Sequence, residues 1–356
     1  MNRTLIIAEA GVNHNGNLEM AHKLIDEAKK ANADIVKFQT AKPEMVVSKY
    51  AEKAAYQKVT TDADESQLDM IKKILLKFED FIELKKHCED VKIGFLSTPF
   101  DIDALHFLVN DCRVDTLKIP SGEITNAPLL LEAARTGKKI ILSTGMSTLG
   151  EIEKALGILS FGYLKEGEPT SQYDFIQAYI DAQRQGILQE KIQLMHCTTE
   201  YPAPFDEVNL SAMNTIRQAF NLPVGYSDHT PGIAIALAAT ALGASIIEKH
   251  FTLDKNLPGP DHKASLEPDE LLNMVIGIRQ VEQSIGDGVK IPSAREYGNM
   301  LIARKSIIAK TAIKKGDVFT KDNITVKRPA TGMSPLNYFE LLGETAKRDY
   351  DEDQTL

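Results

Sequence analysis

The 356-residue chain reads as α/β, a closed (β/α)₈ barrel followed by a small β-rich domain. Three observations predict this. Eight short apolar runs alternate with segments of helical periodicity, the pattern of parallel βαβ units. The length suits a barrel of about 250 residues with a small appendage. Every apolar run also begins apolar and ends polar, as expected where strand ends share one functional face. The expected division is 1–285 for the barrel, 286–300 for a linker and 301–356 for the second domain.

LIIAEAG (5–11) is the first expected strand, and Leu18 to Ala31 the first amphipathic helix. ADIVKFQT (33–40) is the second strand. A polar stretch follows from Ala41 to Asp64, with helical pattern resuming at Ser66. KIGFLSTPF (92–100), DTLKIPSGE (115–123) and KKIILSTGM (138–146) are the next three strands. Residues from about Phe161 to Lys191 read as an insertion, with a helix over Tyr173 to Gln189 and no assigned chemistry. IQLMHCTTE (192–200), a helix from Leu210 to Phe220, PVGYSDHT and ASIIEKHFT complete the series, closed by a helix over Glu267 to Ser284. After Gly286 a polar connector, GDGVKIPSAREYGN, leads into short strands with turns at KKGD and KDN, and long amphipathic helix pattern is absent. Between residues 301 and 343, eight Lys or Arg stand against three Asp or Glu, so this segment suits an acidic pocket or an anionic ligand.

A net charge of −9 disfavours a general nucleic-acid or anionic-membrane binder. Cys88, Cys112 and Cys197 show no CxxC spacing, which fits a reducing cytoplasm. Glu9 interrupts any signal-peptide apolar region, and no run approaches the roughly 20 residues that span a bilayer. A cytoplasmic protein is expected.

The strand ends carry the chemistry. His229 and His250 end the last two apolar runs, so in a barrel their imidazoles converge as a metal pair or as two hydrogen-bonded structural histidines. Lys37 and Lys118 lie within apolar runs, where a charge needs a partner. They suit a phosphate or carboxylate, a Schiff base, or salt bridges to Glu9 or Glu123. Two lysines with Ser121 and Ser143 on neighbouring ends favour the anion. Glu9 and Glu123 are general acid/base candidates or charge-balancing carboxylates. SGE, STG and GPD place glycine beside these groups, where backbone N–H groups can approach an oxyanion. No Walker A or GxGxxG pattern supports nucleotide binding.

The segments IIAEAGVNHNG, VKFQT, LKIPSGE, ILSTGM, HCTTEYPAP, GYSDHT, IEKHFTLDKNLPGPDH, ARKSIIAK, IKKGD and VKRP, in this order, resemble the sialic acid synthase family over nearly the whole chain. The resemblance implies a TIM barrel followed by an antifreeze-like (SAF) domain. It also implies metal-dependent condensation of phosphoenolpyruvate with N-acetylmannosamine to N-acetylneuraminate and phosphate, with Mn²⁺ the usual metal. The alternative is a legionaminic acid synthase acting on a 2,4-diacetamido-2,4,6-trideoxymannose. Carried onto this sequence, the pattern makes His229 and His250 metal ligands. Lys37, Lys118, Ser121, Ser143 and Ser227 become phosphoenolpyruvate contacts, with Gln39 and Thr98 beside them. Glu9 becomes a catalytic carboxylate, and Glu123, Tyr201 and Asp261 amino-sugar contacts. Arg328 becomes the arginine that reaches the N-acetyl group from the partner subunit of a domain-swapped homodimer. Two departures stand out: Thr199 replaces an asparagine found in some members, and RPATGMSP replaces RPG after Arg328. A metal-dependent hydrolase, a Schiff-base pyruvate lyase and a carbohydrate- or ice-binding module are the rival classes.

Overall fold

The computed structural model describes residues 3–51, 53 and 65–356. Eight parallel strands form one sheet: β1 (Leu5–Gly11), β2 (Ile35–Thr40), β3 (Gly94–Pro99), β4 (Thr116–Ile119), β5 (Lys139–Ser143), β6 (Ile192–Cys197), β7 (Val224–Asp228) and β8 (Ile246–His250). The hydrogen-bonded order is β3-β2-β1-β8-β7-β6-β5-β4. The first strand therefore pairs with the last, which an open doubly wound sheet does not do. β3 and β4 lie side by side at the remaining seam without a ladder.

Strand alternation divides the side chains into two layers. Outward residues such as Ile6, Ala8, Val36, Phe38, Leu117, Leu142 and Ile247 join the large core beneath the helices. Inward, Ile7, Leu96, Ile141, Met195 and Ile246 pack with Leu5 and Ile35 as an apolar plug. Two positions further along those strands stand Glu9, Lys37, Thr98, Ser143, Cys197 and Glu248. The inside of the barrel thus changes from hydrocarbon to charge within one strand repeat, about 7 Å.

Helices start where the sequence supplies caps. Asn17 accepts from the Met20 amide ahead of Leu18–Lys30, and Asp101 accepts from the Ala104 amide at 2.8 Å ahead of Ile102–Asn110. The 161–191 segment is helical throughout most of its length. Leu149–Leu164 runs into it, Gln172–Gln185 packs through Ala178 and Phe175 against Phe161, and Ile187–Lys191 delivers the chain to β6. It serves as a structural layer on the barrel wall.

Contacts divide the chain into two compact units, Met1–Gly286 and Asp287–Leu356. In the second, β9 (Ser306–Ala309) pairs antiparallel with β10 (Ile324–Lys327) around a separate core of Ile307, Ile313, Phe319, Ile324 and Ala346. One expectation needs correction. Ala294–Ala303, which begins in the expected connector and runs three residues past residue 300, is a ten-residue helix. Its capping box, Ser293 with Glu296, is the local signal that the polar composition obscured.

β7 and β8 are also joined by a buried charge pair. Lys249 Nζ lies 2.8 Å from Asp228 Oδ2, with both side chains fully excluded from solvent. Removing one partner leaves the other charge stranded in low dielectric. Lys249→Met is expected to destabilise the barrel by roughly 3–5 kcal/mol, measured by urea unfolding. An unchanged midpoint would remove the pair from the forces that hold these strands.

Candidate active site

The C-terminal ends of the strands surround a cavity of about 350 Å³. Its floor is a chain of buried charges. Lys37 Nζ lies 3.0 Å from Glu9 Oε2 and 3.4 Å from Glu248 Oε2. Lys118 Nζ lies 3.5 Å from Glu248 Oε1 and donates to Ser143 Oγ at 2.7 Å. Lys37 also donates to Thr98 Oγ1 at 3.2 Å, and Ser227 Oγ donates to Glu248 Oε1 at 2.8 Å. The ladder explains the convergence: Glu9 stands beside Lys37 on one side and His250 on the other.

Burial acts on all four charges, and neighbours overcome it at two of them, Glu248 and Lys37. Burial raises the Glu9 carboxyl to about 7, against the attraction of Lys37. It also acts to raise Glu248, but Lys118 and Lys37 outweigh it and hold that carboxylate below its usual range. Lys37 is opposed by burial, yet Glu248 and Glu9 raise it. Lys118 is lowered, because its burial outweighs Glu248. One carboxylate is therefore firmly ionised, and the other is poised near neutrality.

His229 and His250 stand together, with ring centroids 5.6 Å apart and Tyr201 against both, at 4.2 and 5.7 Å. His229 Nδ1 donates to the Thr198 carbonyl at 2.6 Å, which leaves Nε2 as the lone-pair nitrogen. Burial lowers His229 to about 4 and His250 well below the usual histidine value, so both rings are neutral at pH 7. His250 Nδ1 is buried without a hydrogen-bond partner and lies 3.9 Å from Asp261 Oδ2. Two neutral imidazoles, one with an orphaned nitrogen, fit a divalent cation with open positions. Among the described residues, no group of three or more His, Cys, Asp or Glu forms an enclosing metal cluster.

Twelve of the sequence-predicted residues line this one cavity: Glu9, Lys37, Gln39, Thr98, Lys118, Ser121, Ser143, Tyr201, Ser227, His229, His250 and Asp261. Glu123 does not. It sits in the 3₁₀ turn after β4, and its Oε2 accepts from Asn126 Nδ2 at 2.6 Å, so this local bond turns the carboxylate aside. Arg328 belongs to the second unit, where its Nε donates to the Ala303 carbonyl at 2.8 Å.

Glu248 received no role from the sequence, although it is the hub of the charged floor. It stands two residues before His250 on the same strand, so period-2 alternation places both on one face. Cys197 and Thr199 also line the cavity. Gly145 lies against them: a Cβ there would sit 2.5 Å from Thr199 Oγ1 and 2.7 Å from Cys197 Sγ. The STG sequence thus needs its glycine for close approach. A second cavity, about 420 Å³, lies at the opposite mouth around Leu5, Ile35, Gly94 and Thr116. None of the strand-end charges described above borders it.

Barrel closure and a charged pocket at the strand C-termini define a barrel protein of the enzyme type. The NeuB family model matches residues 24–290, and the SAF domain model matches residues 304–356. The chain belongs to the NeuB family, and its second unit is a SAF domain. It is 51% identical over 356 residues to the N,N'-diacetyllegionaminic acid synthase of Campylobacter jejuni, covering 100% of this chain and 99% of the relative. It is 41% identical to the protein of the same name from Legionella pneumophila, covering 99% and 92%. Among solved structures, the N-acetylneuraminic acid synthetase of Leptospira borgpetersenii superposes with a TM-score of 0.66 at 33% identity, over 84% of this chain and 90% of that one.

Proposed function

We propose that the chain is an N,N'-diacetyllegionaminic acid synthase, condensing phosphoenolpyruvate with a 2,4-diacetamido-2,4,6-trideoxymannose and water to give the nine-carbon acid and phosphate. The observation that carries the reading is the floor of the cavity. Two lysines and a row of hydroxyls lie beside two neutral imidazoles, a place for an anionic substrate next to a carbonyl-activating centre. The choice of sugar rests on the two legionaminic acid synthases among the relatives. They support the alternative drawn from the sequence better than N-acetylneuraminate synthesis from N-acetylmannosamine, the leading expectation.

Lys37 and Lys118 hold the phosphate and carboxylate of phosphoenolpyruvate as point charges, with Ser121, Ser143 and Ser227 supplying hydroxyl contacts. Gln39 and Thr98 fix the nearer lysine and carboxylate, as the Gln39–Glu9 contact of 3.3 Å and the Lys37–Thr98 bond indicate. His229 and His250 hold a divalent metal, Mn²⁺ by expectation, which when bound polarises the sugar aldehyde as a Lewis acid. Protonated Glu9 donates to the aldehyde oxygen as C3 of phosphoenolpyruvate forms the new carbon–carbon bond. Water then adds at C2, and the C2–O bond to phosphate breaks. Glu248 pairs with both lysines and orients Ser227. Tyr201 and Asp261 contact the sugar, and burial raises Asp261 to about 6, which suits a carboxyl that both donates to and accepts from hydroxyls. Glu123 joins them only if it leaves Asn126. Arg328 completes the sugar site across a domain-swapped homodimer.

Phosphate release with phosphoenolpyruvate, Mn²⁺ and a panel of amino sugars tests the reading. The diacetamido trideoxy sugar is expected to give the highest kcat/KM, and chelation to abolish turnover until Mn²⁺ is restored. Higher kcat/KM with N-acetylmannosamine would overturn the choice of sugar, and persistence after chelation the metal.

The Glu9 assignment fixes a pH dependence. The donating form is the neutral carboxyl, whose population falls as pH rises through about 7. The rate should therefore decline across that range. Glu9→Gln is expected to lower the rate by about 10²- to 10⁴-fold and to flatten this limb. A Glu9→Gln enzyme with the limb intact would move the titration to another group.

Arg328→Ala chains mixed with His250→Ala chains should regain activity as heterodimers, because one composite site then has both residues. No recovery in verified heterodimers would remove the swapped arrangement.

A further inference from the structure

The same cavity has an apolar part that the charged floor does not explain. The helix Gln67–Ile74 lines it with Gln67, Met70, Ile71 and Ile74, spaced i, i+3, i+4 and i+7, which is one face of a helix. Its other side carries Asp69, Lys72 and Lys73, all exposed, with Lys72 paired to Glu44 and Lys73 to Glu65. Ser66 caps its start by accepting from the Asp69 amide. Val46 and Val47, at the end of the short helix Pro43–Val46, line the same cavity. Met70 is only 3% exposed. This amphipathic helix therefore turns its apolar face to a ligand cavity.

We infer that the face formed by Met70, Ile71 and Ile74, with Val46 and Val47, selects the sugar by its non-reacting end. This rests on the proposed condensation. The sugar aldehyde must lie at the charged floor beside the imidazoles, which leaves its far end for the apolar part of the cavity. A diacetylated 6-deoxy sugar brings methyl groups there: the C6 methyl and the methyl of the second acetamido group. N-acetylmannosamine brings hydroxyls at the same two positions. Burying a methyl against this face is favourable, whereas burying a hydroxyl there without a partner is penalised. An apolar pocket of this kind discriminates by roughly 10- to 200-fold.

The test is the ratio of kcat/KM for the diacetamido trideoxy sugar to that for N-acetylmannosamine, measured on the full-length enzyme and on Met70→Gln, Ile74→Asn and Ile74→Val. The first two variants should lower the ratio about tenfold or more, through KM for the diacetylated sugar and with KM for phosphoenolpyruvate unchanged. Ile74→Val keeps the face apolar and should hold the ratio. Thermal melting checks each variant, and Ile74, being only half-buried, provides a folded variant if Met70→Gln does not fold. A wild-type preference for the diacetylated sugar that survives both polar variants would overturn this inference and leave the proposed function standing. So would a parallel rise in both substrates' KM values, the mark of a general disturbance of the cavity. A wild-type enzyme that uses neither sugar would overturn the proposed function and the inference together.

Discussion

The alternation Glu9–Lys37–Glu248–Lys118 inside the barrel is the constraint on which the site depends. Four ionisable groups are almost wholly buried, and each charge costs several kcal/mol of hydration unless its neighbours replace it. Only the closed arrangement does so. β1 brings Glu9, β2 Lys37, β4 Lys118 and β8 Glu248, and no two adjacent segments of sequence supply the set. Because the balance depends on neighbours, it responds to a change of charge. With Glu9 protonated, two lysines face a single ionised carboxylate, and the floor carries a surplus positive charge suited to an anion. Burial puts that change close to neutral pH.

The barrel makes this arrangement stable by confining it to one layer. Below it, Ile7, Leu96, Ile141, Met195 and Ile246 pack together, so the charges stand on an apolar base. On the other face of β7 and β8, Asp228 and Lys249 repeat the same device in miniature, tying together the two strands that carry His229 and His250. Preorganisation of this sort matters for a reaction in which charge moves between substrates, since fixed dipoles and charges need little rearrangement as it proceeds.

The polar floor and the apolar helix face divide the work of the cavity. One side holds charge beside two imidazoles, and the other offers only shape and hydrophobicity. This division follows from where the residues sit: strand ends are rigid and central, while the segment after β2 is connected to the barrel at its rim.

By itself the sequence determined the eight strands, the polar ends and most of the residues that meet in the cavity. Period-2 alternation and the cost of burying Lys37 and Lys118 are local facts, legible without coordinates. Family resemblance added the sugar-contact roles of Tyr201, Asp261 and Arg328, which spacing and composition did not assign. Tertiary structure alone decided the role of Glu248, because its partners Lys37, Lys118 and Ser227 come from three other strands. It also turned Glu123 toward Asn126, a choice between a neighbouring amide and the cavity that composition cannot rank. The Gln67–Ile74 helix makes the same point. Its amphipathic pattern was readable, but a hydrophobic face looks alike in sequence whether it covers a core or a ligand, and only the packing of the other elements determines which.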